Sequence, residues 1–167
     1  AGRPVNEYDE ICKKMQLCLR CAKIDGVEGN YKCSPKTQDY NADFGWMPKN
    51  EAILSDCTVN NENDLCAQHV CTCELALIND LLNIMWSGVV FDDTYKHDNG
   101  WSPDEPGRCE RSASGDGQLK SCCGYYPSRS PYGGDMECCE ESQQRYNPYI
   151  HQCCGTMGVY GIGVGCA

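Results

Sequence analysis

Sixteen cysteines in 167 residues mark a disulfide scaffold of an oxidising compartment, and the even count allows eight bridges. A net charge of −10 repels phosphate backbones, which excludes nucleic acid as an expected partner and favours cations, basic proteins or mineral surfaces. No apolar run approaches the roughly 18 residues of a membrane span, so an integral membrane protein is not expected; Ala1 reads as the residue left after removal of a leader, predicting a secreted, extracellular protein.

The first predicted element is a helix. Tyr8, Ile11, Cys12, Met15, Cys18, Leu19 and Ala22 recur at steps of 3 and 4. Asn6 is a good N-cap, Asp9 and Glu10 suit the first turn, and Gly26 and Gly29 are expected to end the helix. Residues 31–57 read as a loop or a short hairpin. A second helix is predicted from about Asp64 to Ser87, on a stripe of Cys66, Val70, Cys73, Leu77, Leu81 and Ile84. Asn63 or Asp64 can cap it and Gly88 can stop it. Two such helices, with cysteines on their apolar faces, can be stapled side by side. Ile84, Met85, Trp86, Val89, Val90 and Phe91 form an apolar patch that either covers this core or serves as a homo-oligomer interface.

Residues 92–108 are acidic and rich in turn formers. Asp92, Asp93, Asp98, Asp104 and Glu105 offer oxygen ligands suited to weak calcium binding, against the plainer reading of a solvated acidic loop. His97-Asp98 has no evident nucleophile beside it and reads as a surface turn. His69 and His151 have no visible partner ligands. A domain boundary is placed near residues 107–117, dividing the chain into a helical domain, 1–109, and a second module, 110–167. In that module Cys122-Cys123, Cys138-Cys139 and Cys153-Cys154 recur at steps of 16 and 15, as an internal repeat would. Tyr, Pro and Gly punctuate each unit and favour short strands and turns. Neighbouring cysteines rarely bond to each other, so each pair should reach two different places. Seven cysteines follow Cys109: the three pairs and Cys166. Seven is odd, so full oxidation requires at least one bridge that crosses to the helical domain. The expected fold is therefore mainly α and disulfide-rich: two long helices stapled side by side, then a small cysteine-rich tail of short strands and turns.

Two segments carry a family resemblance. Cys12-Lys13-Lys14-Met15-Gln16-Leu17-Cys18-Leu19 and Cys66-Ala67-Gln68-His69-Val70-Cys71-Thr72-Cys73-Glu74 resemble the two long antiparallel helices of secreted phospholipase A₂, which implies two long antiparallel disulfide-stapled helices here. In that family these read C-x-x-H-D-x-C-Y and C-x-x-x-x-C-x-C-D. The resemblance covers about residues 6–109. It implies three bridges, Cys18–Cys73, Cys33–Cys66 and Cys57–Cys71, and leaves Cys12 to find a new partner in Cys109 or a tail cysteine. Ile11 and Asp80 stand where the family often has a further bridged pair. The departures bear on function. Met15 replaces the His that draws a proton from water, Gln16 replaces the Asp that binds calcium, and Glu74 replaces the Asp that orients the His. Only Ala1 to Val5 precede the first helix, so the family's calcium loop is not expected, and Gly161 to Cys166 read as a glycine-rich tail. The resemblance thus implies an enzyme scaffold without its working groups.

The second module, with Cys122-Cys123-Gly124-Tyr125-Tyr126-Pro127-Ser128-Arg129-Ser130-Pro131-Tyr132 and later Tyr146-Asn147-Pro148 before Cys153-Cys154, resembles galaxin-like dicysteine repeats. Those modules imply a structural role in extracellular matrices. Together the resemblances imply a secreted, non-catalytic protein with a structural or binding role, partnered by an extracellular protein or matrix component, with no cofactor beyond weak calcium. A toxin-like or defence ligand-binding protein is the alternative. A lipid hydrolase with a relocated site is the least favoured reading.

Overall fold

The computed structural model describes residues 6–43, 56–90 and 119–166. Two long helices, α1 (Glu7–Glu28) and α3 (Leu65–Ser87), flank a single short turn of helix, α2 (Cys57–Asn60). Six short strands follow: β1 (Leu119–Cys123), β2 (Ser130–Gly133), β3 (Glu137–Cys139), β4 (Gln144–Tyr146), β5 (His151–Cys153) and β6 (Val159–Gly161). They pair as three separate antiparallel hairpins, β1–β2, β3–β4 and β5–β6.

Local chemistry sets the helix ends. The Asn6 side chain accepts from the Asp9 amide at 2.8 Å, and the Asp64 carboxylate accepts from the Ala67 amide at 2.9 Å. Each satisfies an amide with no intrahelical partner. Gly88 ends α3 with φ +79°, a conformation that a side chain disfavours. Gly26 departs from expectation, because α1 runs on through it to a cap at Gly29. A Cβ on Gly26 would lie 2.8 Å from the Cys33 Cβ and 2.9 Å from the Tyr31 carbonyl. The glycine is needed for this close approach as the chain turns back, not as a helix stop. No strand forms in the described residues between the long helices, so the hairpin alternative for 31–57 finds no support in residues 31–43.

α1 and α3 lie antiparallel. The Tyr8 hydroxyl near the start of α1 donates to the Val89 carbonyl just past the end of α3, and Cys18 is bonded to Cys73 in mid-helix. Cys33–Cys66 and Cys57–Cys71 tie the intervening segment to the first turns of α3. All three pairs are those implied by the phospholipase resemblance. Ala22, Cys33, Cys66 and Val70 form the core, with Leu19, Tyr31, Tyr40 and Tyr126 packed around it. Toward its C-terminal end α3 is less covered. Ile84 and Trp86 are half-buried, whereas Met85, Val89 and Val90 are exposed. Phe91 lies outside the described residues.

The hairpins are wired in series. Cys21 on α1 bonds Cys122, Cys123 bonds Cys138, Cys139 bonds Cys153, and Cys154 bonds Cys166. One cysteine of each neighbouring pair looks back along the chain and the other looks forward. These bridges use every tail cysteine, which removes the tail as a source of a partner for Cys12. Cys12 is free among the described residues, and Cys109 lies outside them.

Candidate functional site

Cys18 fixes the face of α1 that carries Met15 and Gln16, one turn before its bridge to Cys73. Met15 is half-buried and Gln16 is exposed. They border an open groove of about 860 Å³ between α1 and the turn at residues 34–37. Leu19 and Pro35 add apolar surface to this groove, and Arg20, Lys23 and Lys36 add three cations. Among the described residues no acidic one lines it. A thioether is no base, and a neutral amide beside three cations is a poor seat for a hard divalent ion. These residues do not fit the calcium ion that the phospholipase resemblance would place there.

Glu74 follows Cys73 on α3, and its carboxylate accepts a 2.6 Å hydrogen bond from the Tyr40 hydroxyl. Burial, then the hydrogen bond to Glu74 and its charge, push that hydroxyl up to about 12. A phenol therefore holds the carboxylate that the resemblance assigns to orienting a histidine. The two described histidines are engaged elsewhere or distant in the chain: His69 faces the hairpins, and His151 belongs to β5.

A denser constellation, which sequence reasoning missed, lies where α1 meets the first hairpin. The Arg129 guanidinium grips Asp25 as a fork, Nε to Oδ2 at 2.7 Å and Nη2 to Oδ1 at 3.1 Å. Its Nη1 donates to the Gly124 carbonyl at 2.7 Å. The Tyr126 hydroxyl donates to the same Asp25 Oδ2 at 2.7 Å. The Tyr126 ring stacks on His69, with centroids 4.0 Å apart and planes 13° apart. His69 Nδ1 meets the Tyr31 hydroxyl at 3.2 Å. Charge-assisted, bidentate contacts of this kind are the strong ones. Burial raises the Tyr126 and Tyr31 hydroxyls, each helped by the Asp25 charge, and burial lowers His69. Asp25 is committed to Arg129 and Tyr126, and a neutral His69 is committed to two tyrosines. These contacts join α1 to the first hairpin, beside the Cys21–Cys122 bridge.

Cys21 received no partner from the sequence pattern. The odd count of tail cysteines signalled a crossing bridge, but no local spacing selected Cys21 over any other helical cysteine. The Cys139–Cys153 bridge has the Glu141 carboxylate near Cys153. Both sulfurs are bonded to each other and offer no thiolate, so this trio does not make a metal site. Asp92, Asp93, Asp98, Asp104 and Glu105, the candidate calcium ligands, lie outside the described residues, as does His97. No helix of the described residues is long and apolar enough to cross a membrane. No family model, curated protein or solved structure matches the chain. The two resemblances rest on the motifs quoted above.

Proposed function

We propose that this chain is a secreted, non-catalytic protein with a structural or binding role in an extracellular matrix or a similar assembly. Seven disulfides fit an oxidising compartment and a protein that works outside the reducing cytosol. The observation that carries the non-catalytic reading is the groove at Met15 and Gln16, apolar and cationic where hydrolysis would need a base and a metal carboxylate. The Asp25–Arg129–Tyr126 joint and the Cys21–Cys122 bridge support the structural side, since both brace the hairpins against the helices.

The test is hydrolysis of a micellar phospholipid with and without calcium. Losing a general base alone costs on the order of 100- to 10,000-fold, and here the metal carboxylate is missing too. No turnover above background is expected under either condition. Turnover at rates ordinary for enzymes, roughly 1 per second or faster, defeats the reading.

A further inference from the structure

A second cleft lies on the side of the helix pair that meets the hairpins. It holds about 280 Å³, near the lower edge of small-ligand sites, roughly 300–1,000 Å³. Ile11 and Met15 from α1 and Ala76 and Leu77 from α3 supply its apolar surface. The turn between β1 and β2, with Ser128, forms one wall, and Arg145 of β4 borders the opening. Neither the helices nor the hairpins make this cleft alone.

The charges around it are nearly all balanced. Asp25 grips Arg129 at 2.7 Å, and Asp80 lies 4.0 Å from Lys14. Arg145 is the exception. The only polar contact of its side chain among the described residues is a 3.4 Å bond from Nη1 to the Pro131 carbonyl, a neutral acceptor. An apolar cleft thus carries one uncompensated guanidinium, whose planar fork suits a carboxylate or sulfonate. Arg145 is exposed at this opening, so an incoming anion can exchange water for the guanidinium fork while its apolar body covers the apolar wall.

We propose that this cleft binds a small organic anion with a compact apolar body, the anionic group on Arg145 and the body on Ile11, Met15, Ala76 and Leu77. The proposal extends the binding side of the reading above. It is measured separately from hydrolysis, so either can fail while the other stands.

The probe is anilinonaphthalene sulfonate, which fluoresces on leaving water, compared with its neutral isostere N-phenylnaphthylamine. The folded, oxidised protein should bind the sulfonate saturably at one per chain and the neutral isostere about tenfold more weakly, as loss of a charge-assisted contact implies. Arg145→Ala should weaken the sulfonate about tenfold and leave the neutral probe unchanged. Arg145→Lys should recover part of the loss. Ala76→Trp should exclude both probes. Ser128→Trp, at an exposed position on the wall, should do the same without a change to the helix core. The proposal is overturned by any of three results: no saturable binding, equal affinity for the two probes, or wild-type affinity in Arg145→Ala or Ser128→Trp.

Discussion

The helical and hairpin regions are both held by disulfides, yet the bridges are wired on opposite plans. In the helical region three bridges converge on Cys66, Cys71 and Cys73, within about two turns of α3, and close sequence separations of 33, 14 and 55. They surround an apolar centre that includes Ala22 and Val70. In the hairpins the bridges run nose to tail and close separations of only 15, 14 and 12. Sulfur dominates the buried surface there, with Cys122, Cys123, Cys139 and Cys154 all under a tenth exposed. A region of about 50 residues has too little interior for a large apolar core, so covalent links replace burial. A converging network makes its members interdependent. A serial ladder passes constraint only between neighbours, as repeat proteins do.

The largest expected effect comes from breaking the link between the two plans. Among the described residues Cys21–Cys122 is the sole disulfide joining helices to hairpins. Proteolytic cleavage between residues 110 and 118 should leave the fragments joined until reduction. In the Cys21→Ser, Cys122→Ser double variant the same cut should release the tail without reductant. A non-reducing gel decides it, and release from the wild-type protein would remove the crossing bridge altogether.

The next contrast sets one bridge of each plan against the other. Replacing Cys18 and Cys73 by Ser opens a 55-residue loop, worth about 4 kcal/mol by chain entropy. Replacing Cys139 and Cys153 opens a 14-residue loop, worth about 3 kcal/mol. The energies are close, but their reach should differ. The first pair should raise hydrogen exchange throughout α1 and α3. The second should raise it from β3 outward and leave the helices protected. Equal loss of helix protection in both variants would contradict the serial arrangement.

The same contrast explains what could be read from the chain beforehand. Helix ends follow short-range chemistry, so Asn6, Asp64 and Gly88 announced themselves. Tyr, Pro and Gly announced short strands and turns, and the odd count of tail cysteines announced a crossing bridge, because punctuation and parity are local or countable properties. Gly26 misled, since a glycine stop and a glycine close approach look alike until Cys33 is seen against it. Cys21–Cys122 and Asp25–Arg129 span 101 and 104 residues, too far apart for any local spacing to pair them. Arg129 stood in the sequence only as one residue of the galaxin-like segment. Only the folded chain shows it as the clamp on α1, and only the folded chain shows Arg145 beside a cleft.

Noncovalent bracing of the joint should weigh less than the disulfides. Arg129→Ala leaves Asp25 half enclosed without its guanidinium. Fully buried pairs lose roughly 3–5 kcal/mol on such a truncation. The Arg129 and Asp25 side chains retain 21% and 13% exposure, so solvent screening lowers the expectation to about 2 kcal/mol. Denaturant unfolding of the oxidised protein measures it. Asp25→Asn should be milder, because the amide oxygen can still accept from Tyr126. A loss under about 0.5 kcal/mol for Arg129→Ala, the range of ordinary surface substitutions, would reduce the joint to its disulfide.

The smallest effect concerns pH and acts at the same joint. Burial lowers His69 from its ordinary 6.5, the Asp25 charge works the other way, and the Arg129 charge adds to the lowering. Tyr31 and Tyr126 face the ring and stay protonated in this range, since both are raised from 10.0. A histidine whose folded value lies below its unfolded value binds fewer protons in the folded state through the intervening window. Stability therefore rises with pH there. His69 contributes fully above 6.5, and its contribution falls as pH drops from 6.5 toward the lowered folded value. Below that value no further loss arises from this group. His69→Phe keeps a flat ring against Tyr126 and removes the titration. The difference in unfolding free energy between the two proteins should change between pH 7.5 and pH 5, with the wild type losing more on acidification. Carboxylates titrate in both proteins and cancel in that difference. A gap that stays constant, or one that widens in the wild type's favour on acidification, would mean that His69 is not neutral against Tyr126 in the folded chain.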